Sequence, residues 1–342
     1  MKVTEGASLA AMNTFGVAAR AGLVLEIENE EEVLSLPPFK PARDMILGGG
    51  SNVLFVSDVP GTVFLNRIAG IEVVAEDDQG SLIEVGAGEN WHSFVGWCVG
   101  QGLSGVENLA LIPGLAGAAP IQNIGAYGVE LASVLDSVTA WDMQTATWAV
   151  LNREQCRFGY RDSLFKSAQP GRYLITSICL KLHKGFSAQL AYPGLAEEIS
   201  RANARRPSMA EVYQAVIRLR QARLPDPAVQ GNAGSFFKNP VISCECLDSL
   251  RSRFQALPAW PMGETQAKIS AAWMIEHCGL KGFEHHGAAV STRHALVLVN
   301  QGDATGLAIW ELARHVQSVV QDRFGIALEP EPVIYDHGSS SQ

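Results

Sequence analysis

Seven glycines fall among the 29 residues from Gly100 to Gly128, far above the roughly 7% share of an ordinary chain. Glycine weakens helix and strand interiors because the unfolded chain has more freedom to lose. The segment must therefore be mostly loop, held by the elements around it. Upstream, "SLIEVGAGENWHSFVGWCVGQGL" from Ser81 reads as a strand, a Gly-rich turn and a helix with Trp91, Phe94, Val95, Cys98 and Val99 on one stripe. Earlier still, "AGLVLEIENEEEVLSL" reads as a strand and an acidic helix start, and "MILGGGSNVLFV" from Met45 as strand, glycine turn, strand.

A chain of 342 residues, 47% of them hydrophobic, is long enough for two or three cores. The clearest boundary is "LPDP", where two prolines stop the helical spacing of "EVYQAVIRLRQA". A new unit begins near Gly231. It contains "KISAAWMIEHCGLKG" as a helix with Gly279 at its C-cap, "HALVLVN" as a strand, and an amphipathic helix from Asp303 to Phe324 closed by Gly325.

Composition excludes several classes. A net charge of -9 argues against a broad nucleic-acid face, which needs surplus Lys and Arg. The six cysteines show no metal-ligand spacing and read as buried free thiols of a reducing compartment, and no metal is expected. The longest apolar run, "LALIPGLAGAAPI", is broken by Pro and Gly and is shorter than the roughly 20 residues of a membrane span. In "GASLAAMNTFGVAA", Asn13, Thr14 and Gly16 interrupt what a signal peptide would keep apolar. A cytoplasmic chain is expected.

Three glycine-rich stretches compete for a phosphate. Gly100-x-Gly102-x-x-Gly105 spells a dinucleotide fingerprint, but it ends a predicted helix where the mechanism needs one to begin. "GGGSNV" (48–53) is either a nest of backbone N–H groups around an anion or a hairpin turn. "IPGLAGAAPIQNIGAYG" (112–128) could let a planar ligand approach the backbone, with Gln122 and Asn123 offering polar groups, or could line a domain contact. In "GNAGSFFKNP" (231–240), Ser235 is either a reactant or the cap of a turn.

Taken in order, "NTFGV", "GGGSNVL", "GAGENWH", "NLALIPG", "PIQNIGAYGVE", "CRFGYRDSLFK", "LPDP", "GNAGSFFKNP", "AAWMIEHCGLKG" and "LEPEP" run across nearly the whole chain. With them the chain resembles the UDP-N-acetylenolpyruvoylglucosamine reductase family, in the longer type marked by "AYPGL" around Tyr192. The resemblance implies an α+β, three-domain flavoprotein: a two-domain FAD-binding module (1–70, and 71–224 joined by the C-terminal 325–342) and a separate α+β substrate-binding domain (225–324). It implies FAD held between the first two domains, the third closing over the substrate, and the last strand returning to the middle domain. NADPH is the implied hydride donor, UDP-N-acetylglucosamine enolpyruvate the substrate, and the enzyme a monomer.

By the same likeness, Gly48, Gly49, Gly50, Ser51 and Asn52, with Pro113, Gly117, Ile121, Gln122, Asn123 and Gly125, would line the flavin. Arg161 matches a catalytic arginine; the residues alone suggest instead a salt bridge with Asp162. Ser235 matches the proton donor and Glu331 the catalytic glutamate, a choice over Glu329 that strand pattern cannot make, because both point the same way. Pro332 stands where an apolar strand residue is expected after it. Tyr127, Tyr192, Arg223, Lys238, Asn239, Lys268 and His294 match positions associated with the sugar nucleotide, and Arg218, Arg220 and Arg223 together would meet its diphosphate.

Overall fold

The computed structural model describes residues 1–201 and 206–339, so the last three residues of the expected 325–342 segment lie outside it. Contacts divide the chain into two compact units: Met1–Ala7, Arg20–Gly50 and Val59–Ala222 form one, and Ser8–Ala19, Ser51–Asp58 and Arg223–Gln342 the other.

The first unit holds two sheets. Strand Ala21–Ile27 pairs antiparallel with Lys2–Glu5 and parallel with Val59–Asn66, which also takes Met45–Leu47 in parallel. The acidic stretch after Ile27 starts a helix, Glu30–Val33, because Asn29 accepts from the Glu32 N–H at 3.0 Å. The second sheet is an antiparallel five-stranded array in the order Thr147–Asn152, Leu135–Asp142, Tyr173–His183, Gly80–Gly86, Ile71–Glu76. The predicted helix is Trp91–Gly100, capped by Asn90, with Trp91, Phe94, Val95 and Cys98 buried as the stripe requires. Gly100 is its last residue, so the fingerprint spelled by residues 100–105 leaves a helix instead of opening one.

An ion pair locks the second sheet. Arg172 donates to Asp142 Oδ2 from Nε at 2.9 Å and Nη2 at 2.6 Å, and this holds the carboxyl down at about 2. A carboxyl depressed by folding stabilises fully above its unfolded value near pH 4 and ceases to as pH falls through the folded value. Arg172→Gln should therefore raise the midpoint of acid unfolding; an unchanged midpoint would leave the pair without a role in acid stability.

The second unit has a sheet in the order Asn232–Ser235, Val297–Asn300, Ala288–Val290, Glu284–His285 and a three-stranded one of Val241–Ser243, Gln266–Ile269 and Ala259–Met262. Ser270 caps the helix Ala271–His277, and Thr305 caps Gly306–Phe324, which is closed by Gly325 at φ 71° as expected but begins at Gly306 and not at Asp303, because Thr305 accepts from Ala308 N. Lys268 and Ile269, read as helical, are strand, because Ser270 starts the helix. The "NTFGV" segment belongs here. Asn13 ties its turn by donating to Leu9 O and Val17 O, Phe15 packs edge-on against Phe236, and Phe15 O accepts from Asn300 Nδ2 at 2.9 Å.

Two expectations change. "MILGGGSNVLFV" is not a hairpin: Met45–Leu47 joins the first unit's sheet, whereas Val53–Phe55 pairs in parallel with Val333–Tyr335. The last strand thus lies beside Val53–Phe55 and not in the middle domain. Pro332 directly precedes it, a position where a missing N–H costs no ladder bond. Of the cysteines only Cys98 and Cys156 are buried, and burial pushes the Cys156 thiol up to about 12; Cys244 is exposed.

Candidate active site

In the first unit the two remaining glycine-rich stretches meet. Gly49 lies against Gly114, where an added Cβ would come within 3.2 Å of Gly114 Cα, and Gly117 against Ala87, where it would come within 2.4 Å of Ala87 Cβ. Gly50 adopts φ 61°, a left-handed turn that glycine takes without strain. The result is a surface of backbone and small side chains running from Gly48 through Gly117 to Gly125.

The loop carrying Arg161 is stapled to this surface. Arg161 Nη2 donates to Gly125 O at 2.7 Å, Ser163 Oγ to Ile121 O at 2.6 Å, Lys166 Nζ to Gln122 Oε1 at 3.2 Å, and Asn123 Nδ2 to Gly159 O at 3.1 Å. Arg161 itself sits at φ 54°, as do Asn123 (44°), Tyr127 (48°) and Leu111 (57°) in the left-handed region. Four such residues in one neighbourhood mark a place where backbone strain of order 1–3 kcal/mol each is held by its surroundings. Asp162 does not claim the arginine as a simple surface pair would: its carboxylate accepts from Ser163 N and Ser167 Oγ.

Asn123 is buried, and its amide is spent inside the protein on Glu130, Gly159 and Ala132. Only its backbone remains for a ligand. Tyr127 and Tyr192 come together, ring centroids 5.1 Å apart and nearly perpendicular. The three arginines do not act as one cluster. Arg218 pairs with Glu198 at 2.8 Å, while Arg220 donates from Nε to Leu111 O at 3.1 Å. On a helix, positions 218 and 220 point about 200° apart. Pro113 is exposed at the rim of the same stretch.

The second unit carries the other half of the predicted set. Ser235 ends strand Asn232–Ser235, just after Gly234 at φ 70°. The turn is capped, but not by Ser235: Asn232 Oδ1 accepts from Gly234 N at 2.9 Å. Phe236 and Phe237, both fully buried, anchor the backbone that presents the hydroxyl. Opposite them runs "LEPE". Glu331 N donates to Phe236 O at 2.8 Å, and Asn52 Nδ2 to Glu331 O at 3.3 Å. Glu329, the rival acid, is exposed and bound to Lys238 Nζ at 3.0 Å. Lys238 is therefore engaged by Glu329.

Asn239 Oδ1 accepts from Ala271 N at 3.0 Å, where that helix begins, and Lys268 pairs through its strand with Val241. His294 accepts from Leu296 N through Nδ1 at 3.3 Å. Burial, then the charges of Arg223 and Lys281, push its imidazole pKa down against the pull of Glu276, so Arg223 and His294 share a neighbourhood in which the imidazole stays neutral. The supporting residues Ser163, Lys166, Glu130 and Asn232 escaped the sequence reading, since a polar side chain in a loop does not announce which backbone group it will hold. Among the described residues no three His, Cys, Asp or Glu side chains converge as a metal site, and no helix is long and apolar enough to cross a membrane.

Residues 22–151 match the FAD binding domain family. The chain is an FAD-dependent oxidoreductase. Residues 226–335 match the C-terminal domain of UDP-N-acetylenolpyruvoylglucosamine reductase. The UDP-N-acetylenolpyruvoylglucosamine reductases of Burkholderia lata and Burkholderia cenocepacia are each 46% identical to it over 331 residues, covering 95% of either chain. The crystal structure of UDP-N-acetylenolpyruvylglucosamine reductase from Thermus caldophilus shares the fold with a TM-score of 0.65, at 27% identity and 98% coverage of both chains. The chain belongs to the UDP-N-acetylenolpyruvoylglucosamine reductase family. The Gly48–Gly50 turn against Gly114 and Ala118 fits the cofactor, since a flat ring system can approach where side chains are small or missing.

Proposed function

We propose that the protein reduces UDP-N-acetylglucosamine enolpyruvate to UDP-N-acetylmuramate at the expense of NADPH, as a step in peptidoglycan precursor synthesis. FAD, held along the glycine-lined surface, would supply hydride transfer from NADPH to the terminal carbon of the enol ether. Negative charge then builds on the carbon bearing the carboxylate. Arg161, with its planar fork held by Gly125 O, would meet that carboxylate and favour the charged transition state. Ser235 would give its proton to the carbanionic carbon, completing the addition of one hydride and one proton across the double bond. Glu331 would polarise the enolpyruvyl group.

The observation that carries this reading is the stapling of the Arg161 loop to the glycine-lined surface of residues 121–125 within a family match spanning both units. Gly48, Gly49, Gly50, Ser51, Asn52, Pro113, Gly117, Ile121, Gln122, Asn123 and Gly125 would line the flavin, Asn123 by its backbone. Tyr127, Tyr192, Arg223, Lys238, Asn239, Lys268 and His294 would serve the sugar nucleotide. In function we keep the flavin subdomains 1–70 and 71–224 and the substrate domain 225–324, and read the enzyme as a cytoplasmic monomer.

The test is anaerobic. Bound FAD is reduced by NADPH, UDP-N-acetylglucosamine enolpyruvate is added, and the flavin absorbance is followed. The yellow colour should return within one turnover; a flavin that stays bleached with this substrate but reoxidises with oxygen would overturn the assignment in favour of an oxidase.

A further inference from the structure

We propose that His92 is a positioning residue that acts through the backbone of Leu111 to set Arg220, a second guanidinium for the substrate carboxylate beside Arg161. This rests on the reduction of an enolpyruvyl carboxylate proposed above. Leu111 is clamped at both ends of its residue: its N–H donates to His92 Nδ1 at 3.1 Å and its carbonyl accepts from Arg220 Nε at 3.1 Å. A leucine at φ 57° is strained, so something must hold it there. His92 is itself fixed by stacking on Tyr213, centroids 5.8 Å apart and planes 21° from parallel. Tyr213 lies on the same helix as Arg220, Met209–Arg223. The clamp thus links the helix Trp91–Gly100 to the arginine through one residue of the glycine-rich segment.

An imidazole can accept at Nδ1 only when that nitrogen is unprotonated. Burial, and then the charge of Arg220, push the His92 pKa down, which keeps it an acceptor at neutral pH. Arg220 has an unusual charge balance. Half-buried, it has no carboxylate within ion-pair distance among the described residues. Burial disfavours its charge, the neighbouring Arg161 opposes it further, and only Tyr127 favours it. Two like charges kept close in a partly dehydrated place are relieved by an anion that touches both. The class of ligand that fits is a carboxylate, and the clamp determines where the second guanidinium meets it.

The experiment compares two ligands on the oxidised holoenzyme by their perturbation of the flavin absorbance: UDP-N-acetylglucosamine enolpyruvate, and UDP-N-acetylglucosamine, which lacks the carboxylate. Wild type should prefer the first. His92→Leu should lose about tenfold of that preference, the scale of one charge-assisted hydrogen bond, with UDP-N-acetylglucosamine affinity unchanged. His92→Asn, whose Oδ1 can stand in for Nδ1, should recover most of it. A full preference in His92→Leu, or Asn no better than Leu, overturns the clamp. No preference in wild type would instead sink the proposed function itself. Should His92→Leu fail to retain flavin, Arg220→Lys decides: it keeps the charge but lacks the Nε–H, and an undiminished preference there overturns the clamp equally.

Discussion

Ser235→Ala should keep its flavin and its substrate affinity, yet return electrons to UDP-N-acetylglucosamine enolpyruvate about 10²–10⁴ times more slowly than wild type. The structure separates this from a folding defect. Capping of the turn falls to Asn232, which accepts from Gly234 N, and the strand is fixed by the pairing of Asn232 with Val299 and by the bond from Phe236 N to Leu296 O at 2.7 Å. The hydroxyl makes no hydrogen bond among the described residues, so its removal breaks nothing that holds the fold. Stopped-flow reoxidation of the prereduced variant, beside a substrate titration of the oxidised one, reads both quantities. A variant as fast as wild type would leave Ser235 a bystander; one that loses binding in proportion to rate would make it a contact and not a proton donor.

Gly306→Ala should be the most damaging single methyl group in the second unit, costing about 3 kcal/mol. Gly306 opens the helix Gly306–Phe324 and is buried against the strand Val53–Phe55. An added Cβ would lie 1.7 Å from Phe55 O and 2.7 Å from Phe55 C. Those are backbone atoms, which cannot rotate aside, and the strand they belong to follows directly on Ser51 and Asn52. The sign is opposite to the usual helix rule, in which alanine is better than glycine by roughly 0.5–1 kcal/mol. Gly100→Ala supplies the contrast, for nothing lies within 4 Å of its added Cβ. Urea midpoints of the two variants should move in opposite directions. Equal midpoints would mean that the helix yields around the strand.

The features legible in the sequence were those that local chemistry fixes. Gly325 closes its helix because a left-handed cap suits a residue with no Cβ, whereas the N-caps Asn29, Asn90, Ser270 and Thr305 were not singled out. The stripe on Trp91–Gly100 followed from period alone. The Gly48–Gly50 turn and the segment around Gly117 were legible as places for close approach, because absent side chains can be counted in a sequence. What could not be read were partners distant along the chain. Nothing in "VLF" (53–55) says that it will lie beside "VIY" (333–335) and not pair back across the glycine turn, so the hairpin stayed open beside the nest. Arg218, Arg220 and Arg223 look like one basic group in a line of text, yet helix geometry sends one to Glu198 and another to Leu111. The amides of Asn123 and Asn239 advertise hydrogen bonds without saying that Glu130 and Ala271 have already taken them. Between Glu329 and Glu331 strand pattern could not choose, and the resemblance did; the Glu329–Lys238 ion pair and the backbone bond from Glu331 N to Phe236 O join residues far apart along the chain, which no local pattern announces.

The threading of the second unit bears on how the chain is made. Ser8–Ala19 and Ser51–Asp58 leave the ribosome early, but the surfaces that cover them are translated last. The carbonyl of Phe15 waits 285 residues for the amide of Asn300, and Val53–Phe55 waits almost to the end for Val333–Tyr335. Closing so long a loop costs little more at equilibrium than closing a shorter one, since the entropy grows only with the logarithm of its length. The burden falls on time: until synthesis ends, Phe15, Leu54 and Phe55 are apolar surface without cover in a growing chain. A nascent chain arrested between Phe55 and the last strand therefore leaves these residues uncovered, whereas the first unit's own sheets are complete once residue 183 has emerged.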